Sequence, residues 1–514
     1  MRLADHVFVC FMIALFLGCV LRDPRSDHYP FRSFDPLPDA VEYAVVAANI
    51  HTGVGPYLSI NHNRIPSRYP FGFPLLIIPF YQLLGDDIAN AYYASVFFGA
   101  LSIALMFSLA RSLFPGTSVA HWATFFLGSC SLFLTFSTLV MSEVCSIFLA
   151  LLALNLAARL RPTSSFLCFA LLGLILGYAV LVRTANILII APVQLYLLLE
   201  GRVRLFSRSL LAILVALGAC AVLLLVYNAH IFGSFVRNGY TVYTPRTLFS
   251  WGFFRENALP YVQTLALARG GKSIWLEGPF YGWIIPPLAA FGLVTLQWDR
   301  RRSLIALLAA WVASFYVFYS CYFFYDFRFF LPALPLLFLT AAIGLSRALR
   351  SLDGLHRLVV SMLAIALYLA QPFSGGVSPL RTAAHNRTTD TPPANYHHVR
   401  EINAYMERVG AQPGTHFVLS ALNLVYYDYY SSKRYTLVPL SQGQEYERAP
   451  EIAAIIDAPG VDALLDRGCV VYASDFRVDD APSQASLREL AEKYRLERVA
   501  DVGTSLFRVW RKTT

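Results

Sequence analysis

Asp39 and Glu42, in the run Asp35-Pro-Leu-Pro-Asp39-Ala-Val-Glu42-Tyr43, stand shortly after the first strongly apolar segment of the chain. A carboxylate at such a membrane boundary can take a proton from an incoming hydroxyl, and lipid and protein walls lower the dielectric that would otherwise weaken its field. The stretch that follows carries His51, His62 and Arg64 and ends in Ser67-Arg68-Tyr69-Pro-Phe-Gly-Phe-Pro74, more polar function than a simple connector needs. Asp39 is the leading candidate for a general base. The alternative is a helix N-cap ahead of Ala40 to Ile50, where an acid satisfies free backbone amides. Glu42, one turn on, is a candidate second acid or a solvated helix neighbour. Val41 to Ile50 is apolar enough to lie against the headgroups as a short interfacial helix.

Three more ionisable residues sit at the ends of apolar runs. Glu143 follows Met141-Ser142, Arg183 interrupts Gly177-Tyr-Ala-Val-Leu-Val-Arg183-Thr-Ala-Asn186, and Arg328 lies in Tyr325-Asp326-Phe327-Arg328-Phe329-Phe330. Glu143 is a further candidate acid, with an interfacial anchor as its alternative. Two arginines converging on a membrane cavity suit a phosphate, because the planar guanidinium makes charge-assisted, two-pronged hydrogen bonds. A local ion pair with Asp326 is the plainer role for Arg328. Tyr43, Arg68, Tyr69 and Asn186 are candidate substrate contacts, and Tyr316, Tyr319, Tyr322, Phe323, Phe324 and Tyr325 could stack on a sugar or form an interfacial aromatic belt.

The elements that must position these residues are membrane helices. The chain has 514 residues, 57% of them hydrophobic and 14% charged. Apolar runs near 7–22, 89–113, 119–140, 142–160, 165–182, 184–200, 209–229, 281–297, 303–320, 328–346 and 357–372 approach the roughly 20 helical residues a bilayer needs, giving eleven expected spans. The segment 71–84 is too short and proline-rich to cross, and is expected to dip into the membrane edge or pack on other helices. The formal charge of +9 comes largely from arginines in short loops, among them Arg111, Arg159, Arg161, Arg202, Arg204, Arg300, Arg301, Arg302, Arg347 and Arg350. These fall in alternate loops, so they read as cytoplasmic topology determinants and not as a nucleic-acid surface. The N-terminus is then inside, and the first loop (23–88), the 230–280 loop and everything beyond 372 share the outer face.

A linker is expected at 373–394, followed by a small extracytoplasmic α/β domain over 395–514, with helices near 396–409, 448–457 and 485–496 and strands near 416–421, 434–440, 468–473 and 505–510. No glycine-rich nucleotide fingerprint, disulfide framework or zinc spacing is present. Ionisable residues deep within spans are almost absent, which favours an enzyme over the alternative, a polytopic transporter or flippase of a lipid-linked glycan.

Together, Asp39-Ala-Val-Glu42-Tyr43, Arg68-Tyr-Pro-Phe-Gly-Phe-Pro74, Gly177 with Arg183, Asn228 with Phe232-Gly-Ser234, and Arg328 with Pro332 and Pro335 resemble the GT-C superfamily of integral-membrane glycosyltransferases, near the bacterial protein O-mannosyltransferases and lipid A aminoarabinose transferases. The resemblance spans most of residues 1–372. It implies a catalytic module with Asp39 as general base, a polyprenyl-phosphate sugar donor held by Arg183 and Arg328, inversion at the anomeric carbon, and a lipid, glycan or protein acceptor outside a bacterial inner membrane. The Trp-Trp-Asp triplet of the oligosaccharyltransferase branch is missing. Metal use varies across the superfamily, so a divalent cation stays open.

Overall fold

The computed structural model describes residues 3–22, 38–243, 247–268, 272–273, 276–277, 280–370, 394–421, 428–440, 460–476, 478, 481–501 and 505–512. Helix α1 (Leu3–Val20) is followed by α2 (Pro38–His51), the hairpin β1 (Tyr57–Ile60) and β2 (Asn63–Pro66), and α3 (Gly72–Leu84). The bundle continues through α4 (Tyr92–Leu113), α5 (Val119–Gly128), α6 (Ser131–Ser137), α7 (Ser142–Arg159), α8 (Phe166–Val182), α9 (Ile190–Leu199) and α10 (Arg208–Phe232). After α11 (Gly239–Tyr243), α12 (Trp251–Leu267) and the short pair β3 (Lys272–Ser273) and β4 (Leu276–Glu277) come α13 (Ile285–Trp298), α14 (Arg302–Ser320), α15 (Leu334–Arg350) and α16 (Gly354–Ala370).

The fold is a polytopic helical membrane protein carrying a small sheet domain. Each of the eleven apolar runs is helical. Among the described residues, six helices are long and apolar enough to cross a membrane, and α5 with α6, bent by 57°, make a seventh if taken as one span. The other four runs are shorter apolar helices. The bend falls at Ser129-Cys130, where Cys130 is extended and the Ser131 hydroxyl turns away to donate to the Phe280 carbonyl. Segment 71–84 packs on its neighbours. A Cβ on Gly72 would lie 2.4 Å from the backbone of Leu181, so the start of α3 rests directly on the end of α8.

Helix α2 departs from the interfacial expectation. Ala40, Val41, Tyr43, Ala44, Val46 and Ala47 are buried in the main core, because α3 and the hairpin cover the face that would otherwise meet lipid. Two further helices, α11 and α12, lie in the 230–280 loop, where Arg255, Glu256 and Pro260 had hidden any apolar stripe.

Beyond α16, helices Ala394–Arg408, Val461–Asp466 and Ala481–Lys493 accompany strands β5 (His416–Ser420), β6 (Thr436–Pro439), β7 (Val470–Ser474), β8 (Tyr494–Asp501) and β9 (Ser505–Arg511). Their order in the sheet is β6-β5-β7-β9-β8, with β6–β5–β7 parallel and β7–β9–β8 antiparallel. Side chains alternate along β5: Phe417 and Leu419 join the domain's own core, while Val418 joins the core shared with the membrane helices. Tyr494 begins β8, not the end of a helix, since Tyr494-Arg-Leu-Glu pairs in register with Trp510 and Arg511 of β9. The helix expected at 448–457 and almost all of the 373–394 linker lie outside the described residues.

Candidate active site

Asp39 occupies the first turn of α2, as its second residue and not as the cap. Its carboxylate points at Arg328, with Oδ2 3.5 Å from Nη1. Arg328 belongs to a 3-10 turn, Phe327–Ala333, that precedes α15 and contains Pro332, which cannot supply the amide a regular helix would use. Asp326 caps this turn, accepting the Arg328 amide at 2.9 Å, and its Oδ2 lies 3.3 Å from Arg328 Nε. One acid thus fixes both backbone and guanidinium. Burial holds the Asp326 carboxyl above its ordinary value, against the opposing pull of the neighbouring Arg328.

Glu143, in the first turn of α7, joins the two arginines. Its Oε1 is 2.7 Å from Arg183 Nη1 and 3.8 Å from Arg328 Nε. Arg183 sits at the break between α8 and the 3-10 turn Thr184–Ile189, a break sealed by Asn186, whose amide donates to the Ala179 carbonyl at 2.8 Å and to Ser146 Oγ at 3.0 Å. Both guanidinium carbons lie 5.3 Å from the centre of the Phe329 ring. Tyr319 stacks on the same ring at 4.6 Å.

The cluster is therefore Asp39, Glu143, Asp326, Arg183 and Arg328, drawn from helix ends far apart in sequence and almost wholly buried. Arg328 Nε and Nη1 and Glu143 Oε2 are buried without a hydrogen-bond partner among the described residues. The carboxylates facing Arg328 stand at ion-pair distance, not in hydrogen-bond geometry. Leaving such donors unfilled is costly in a protein interior, and a phosphate oxygen would fill them. Among the described residues no three His, Cys, Asp or Glu side chains are grouped to hold a metal ion. Each acid of the cluster faces an arginine instead.

Glu42 is placed elsewhere. Fully buried, it accepts the Ser67 hydroxyl at 2.8 Å and the Arg68 backbone amide, and so ties the first loop to α2. Tyr43 donates to Ser142 Oγ at 3.1 Å, next to Glu143, and stacks on Tyr69 at 4.7 Å. Tyr69 meets Tyr240 edge-on at 5.8 Å, and the Arg68 guanidinium lies 5.8 Å from the rings of Tyr69 and Tyr243. Burial, with the Asp39 charge adding to it, holds the Tyr69 phenol well above its ordinary value, so it remains a hydrogen-bond donor. Asp326 was legible in the sequence only as a local partner of Arg328. Tyr240 and Phe329 carried no signal beyond their place among aromatics, since ring contacts between remote loops leave no spacing to read.

The sequence profile of the dolichyl-phosphate-mannose-protein mannosyltransferases matches residues 68–227, which include Arg68, Tyr69, Glu143, Arg183 and Asn186. No curated protein matches the chain in sequence. Among solved structures, ArnT from Cupriavidus metallidurans bound to undecaprenyl phosphate is similar over 98% of this chain and 97% of its own, with a TM-score of 0.64 and 15% identity. The oligosaccharyltransferase AglB from Archaeoglobus fulgidus, in complex with an inhibitory peptide and a dolichol-phosphate, is similar over 98% of this chain and 74% of its own, with a TM-score of 0.55 and 12% identity. These likenesses show a fold shared with ArnT and AglB. Residues 68–227 resemble the mannosyltransferase family, and the whole chain shares its fold with these integral-membrane proteins.

Proposed function

We propose that this protein moves a sugar from a polyprenyl-phosphate donor to a hydroxyl of an extracytoplasmic lipid, glycan or protein, with inversion at the anomeric carbon. The acceptor oxygen attacks that carbon from the side opposite the phosphate. The bond from carbon to phosphate oxygen breaks, its electron pair leaves with the polyprenyl phosphate, and the acceptor proton passes to the Asp39 carboxylate. Arg183 and Arg328 hold the phosphate and stabilise the charge it gains as the sugar departs. Glu143 and Asp326 orient the two guanidiniums. Tyr43, Arg68 and Tyr69 border the sugar and acceptor side, while Asn186 supports Arg183 from behind.

One observation carries this reading: a buried arginine whose Nε and Nη1 lack hydrogen-bond partners among the described residues stands 3.5 Å from the leading candidate base. Donor phosphate binding at Arg328 competes with Asp39 for the guanidinium and frees the carboxylate to accept a proton. An apolar cavity of about 730 Å³ between α12, α13, α14 and α15, lined by Leu265, Ala289, Leu293, Leu308, Phe330 and Leu337, begins two residues beyond Arg328 and suits an isoprenoid tail. The matched solved structures with bound undecaprenyl phosphate and dolichol-phosphate support the same donor class. The arginine-rich loops at the other end of the bundle favour a site on the outer face of a bacterial inner membrane.

Binding of undecaprenyl phosphate to the purified protein tests the assignment. Arg183→Lys and Arg328→Lys are each expected to weaken it by about tenfold, since a point charge cannot reproduce the guanidinium fork. Unchanged affinity in both variants removes these arginines from the site.

A further inference from the structure

The β1–β2 hairpin turns through Asn61 and His62, both left-handed with φ of 49° and 66°. Asn suits the first position of this type of two-residue turn, and glycine is the residue preferred at the second, where His62 stands. The turn is seated against the C-terminal domain. The Asn61 side-chain amide donates to the Leu437 carbonyl at 2.8 Å and its oxygen accepts the Leu437 amide at 2.9 Å, while the Asn61 backbone amide donates to Asp428 Oδ1 at 3.1 Å. Leu437 lies on β6, the edge strand of the five-stranded sheet. One side chain therefore satisfies both backbone groups of a residue on an open edge, as the next strand of the sheet would. The seat itself is braced, since Lys433 Nζ pairs with the other oxygen of Asp428.

The opposite end of the hairpin leads into the site. Tyr243 donates to the Pro66 carbonyl, and Ser67 and the Arg68 amide hold Glu42, one helical turn from Asp39 on α2. Gly239 packs so closely that a Cβ there would lie 2.3 Å from the Arg68 carbonyl. The path from Leu437 to Asp39 thus runs through a two-stranded ribbon bonded at both ends.

We propose that Asn61 is a positioning residue of the transfer reaction: it latches the first-loop hairpin to the edge of the C-terminal sheet and so fixes the Ser67-Arg68 turn that sets Glu42 and the helix of Asp39. This gives the C-terminal domain a share in building the site. The kinetic arm of the test rests on the proposed sugar transfer; the exchange arm does not.

Asn61→Gly separates latch from turn, because glycine keeps the left-handed turn and removes both amide bonds to Leu437. In the full-length protein, hydrogen exchange over residues 57–68 and the first turn of α2 is expected to rise at least about tenfold, with α4 and α7 unchanged. Turnover is expected to fall about tenfold with undecaprenyl-phosphate affinity retained, as small displacements of a catalytic group suffice for such a loss. His62→Gly, which relaxes the turn and keeps the amide, should behave as the wild type. Unchanged exchange in Asn61→Gly overturns the latch, as does an equal loss in His62→Gly. Raised exchange with normal turnover overturns the positioning role. A wild-type protein that transfers no sugar contradicts the proposed reaction, and the exchange data then still decide the latch.

Discussion

Glu143 is the acid that reaches both arginines, and its burial decides what losing it does. Removing one partner from a buried ion pair leaves an uncompensated charge, at a cost of about 3–5 kcal/mol. Glu143→Gln is therefore expected to lower the melting temperature, and undecaprenyl phosphate should restore more stability to this variant than to the wild type, because its phosphate supplies the missing negative charge to Arg183 and Arg328. Equal stabilisation of the two proteins would contradict that placement. The arginines were legible in the sequence because each stands where the positive-inside pattern has no use for it. Glu42 was read as a possible acid only from its helical spacing. Its partners, Ser67 and the Arg68 amide, lie 25 and 26 residues away and could not be seen from that spacing.

At the scale of elements, the site depends on how closely helices approach. The contact of Gly72 with the Leu181 backbone seats α3 on α8 two residues before Arg183. Gly72→Ala forces the two apart and is expected to cost about 1–3 kcal/mol, as overpacking of a tight interior does, and to reduce donor affinity by moving the α8 end. Normal stability in Gly72→Ala would show that the contact gives way freely. Helix existence was readable for the eleven apolar runs, because long apolar runs admit little else in a bilayer, but not for α11 and α12. The breaks were not. The bend at Ser129-Cys130 and the 3-10 turn at Thr184–Ile189 are set by tertiary partners, the Phe280 carbonyl and Ser146, and the 3-10 turn at Phe327–Ala333 by its own cap, Asp326. Those irregular points are where Arg183 and Arg328 emerge.

Across the whole molecule, the structure gathers two opposite ends. Asp39, Glu143, Arg183 and Arg328 meet at one. At the other, Arg111 pairs with Asp5, Arg202 bonds the Ala157 and Leu160 carbonyls, and Arg301 bonds the Leu113 carbonyl. In the proposed orientation, which rests on the arginine bias, the second end faces the cytoplasm. Reporter fusions after residues 205, 302 and 352 should accordingly read inside, and those after 60, 255 and 400 outside; reversed signals at 60 and 400 would put the site on the wrong face for an extracytoplasmic acceptor. Asp39→Asn, purified and assayed for turnover beside donor affinity, bears most directly on the proposed reaction. General-base assistance is worth about 10²–10⁴ in rate, so sugar transfer should fall at least about a hundredfold while the protein stays folded and binds its polyprenyl-phosphate donor as before. Near-normal turnover in this variant would contradict Asp39 as the base.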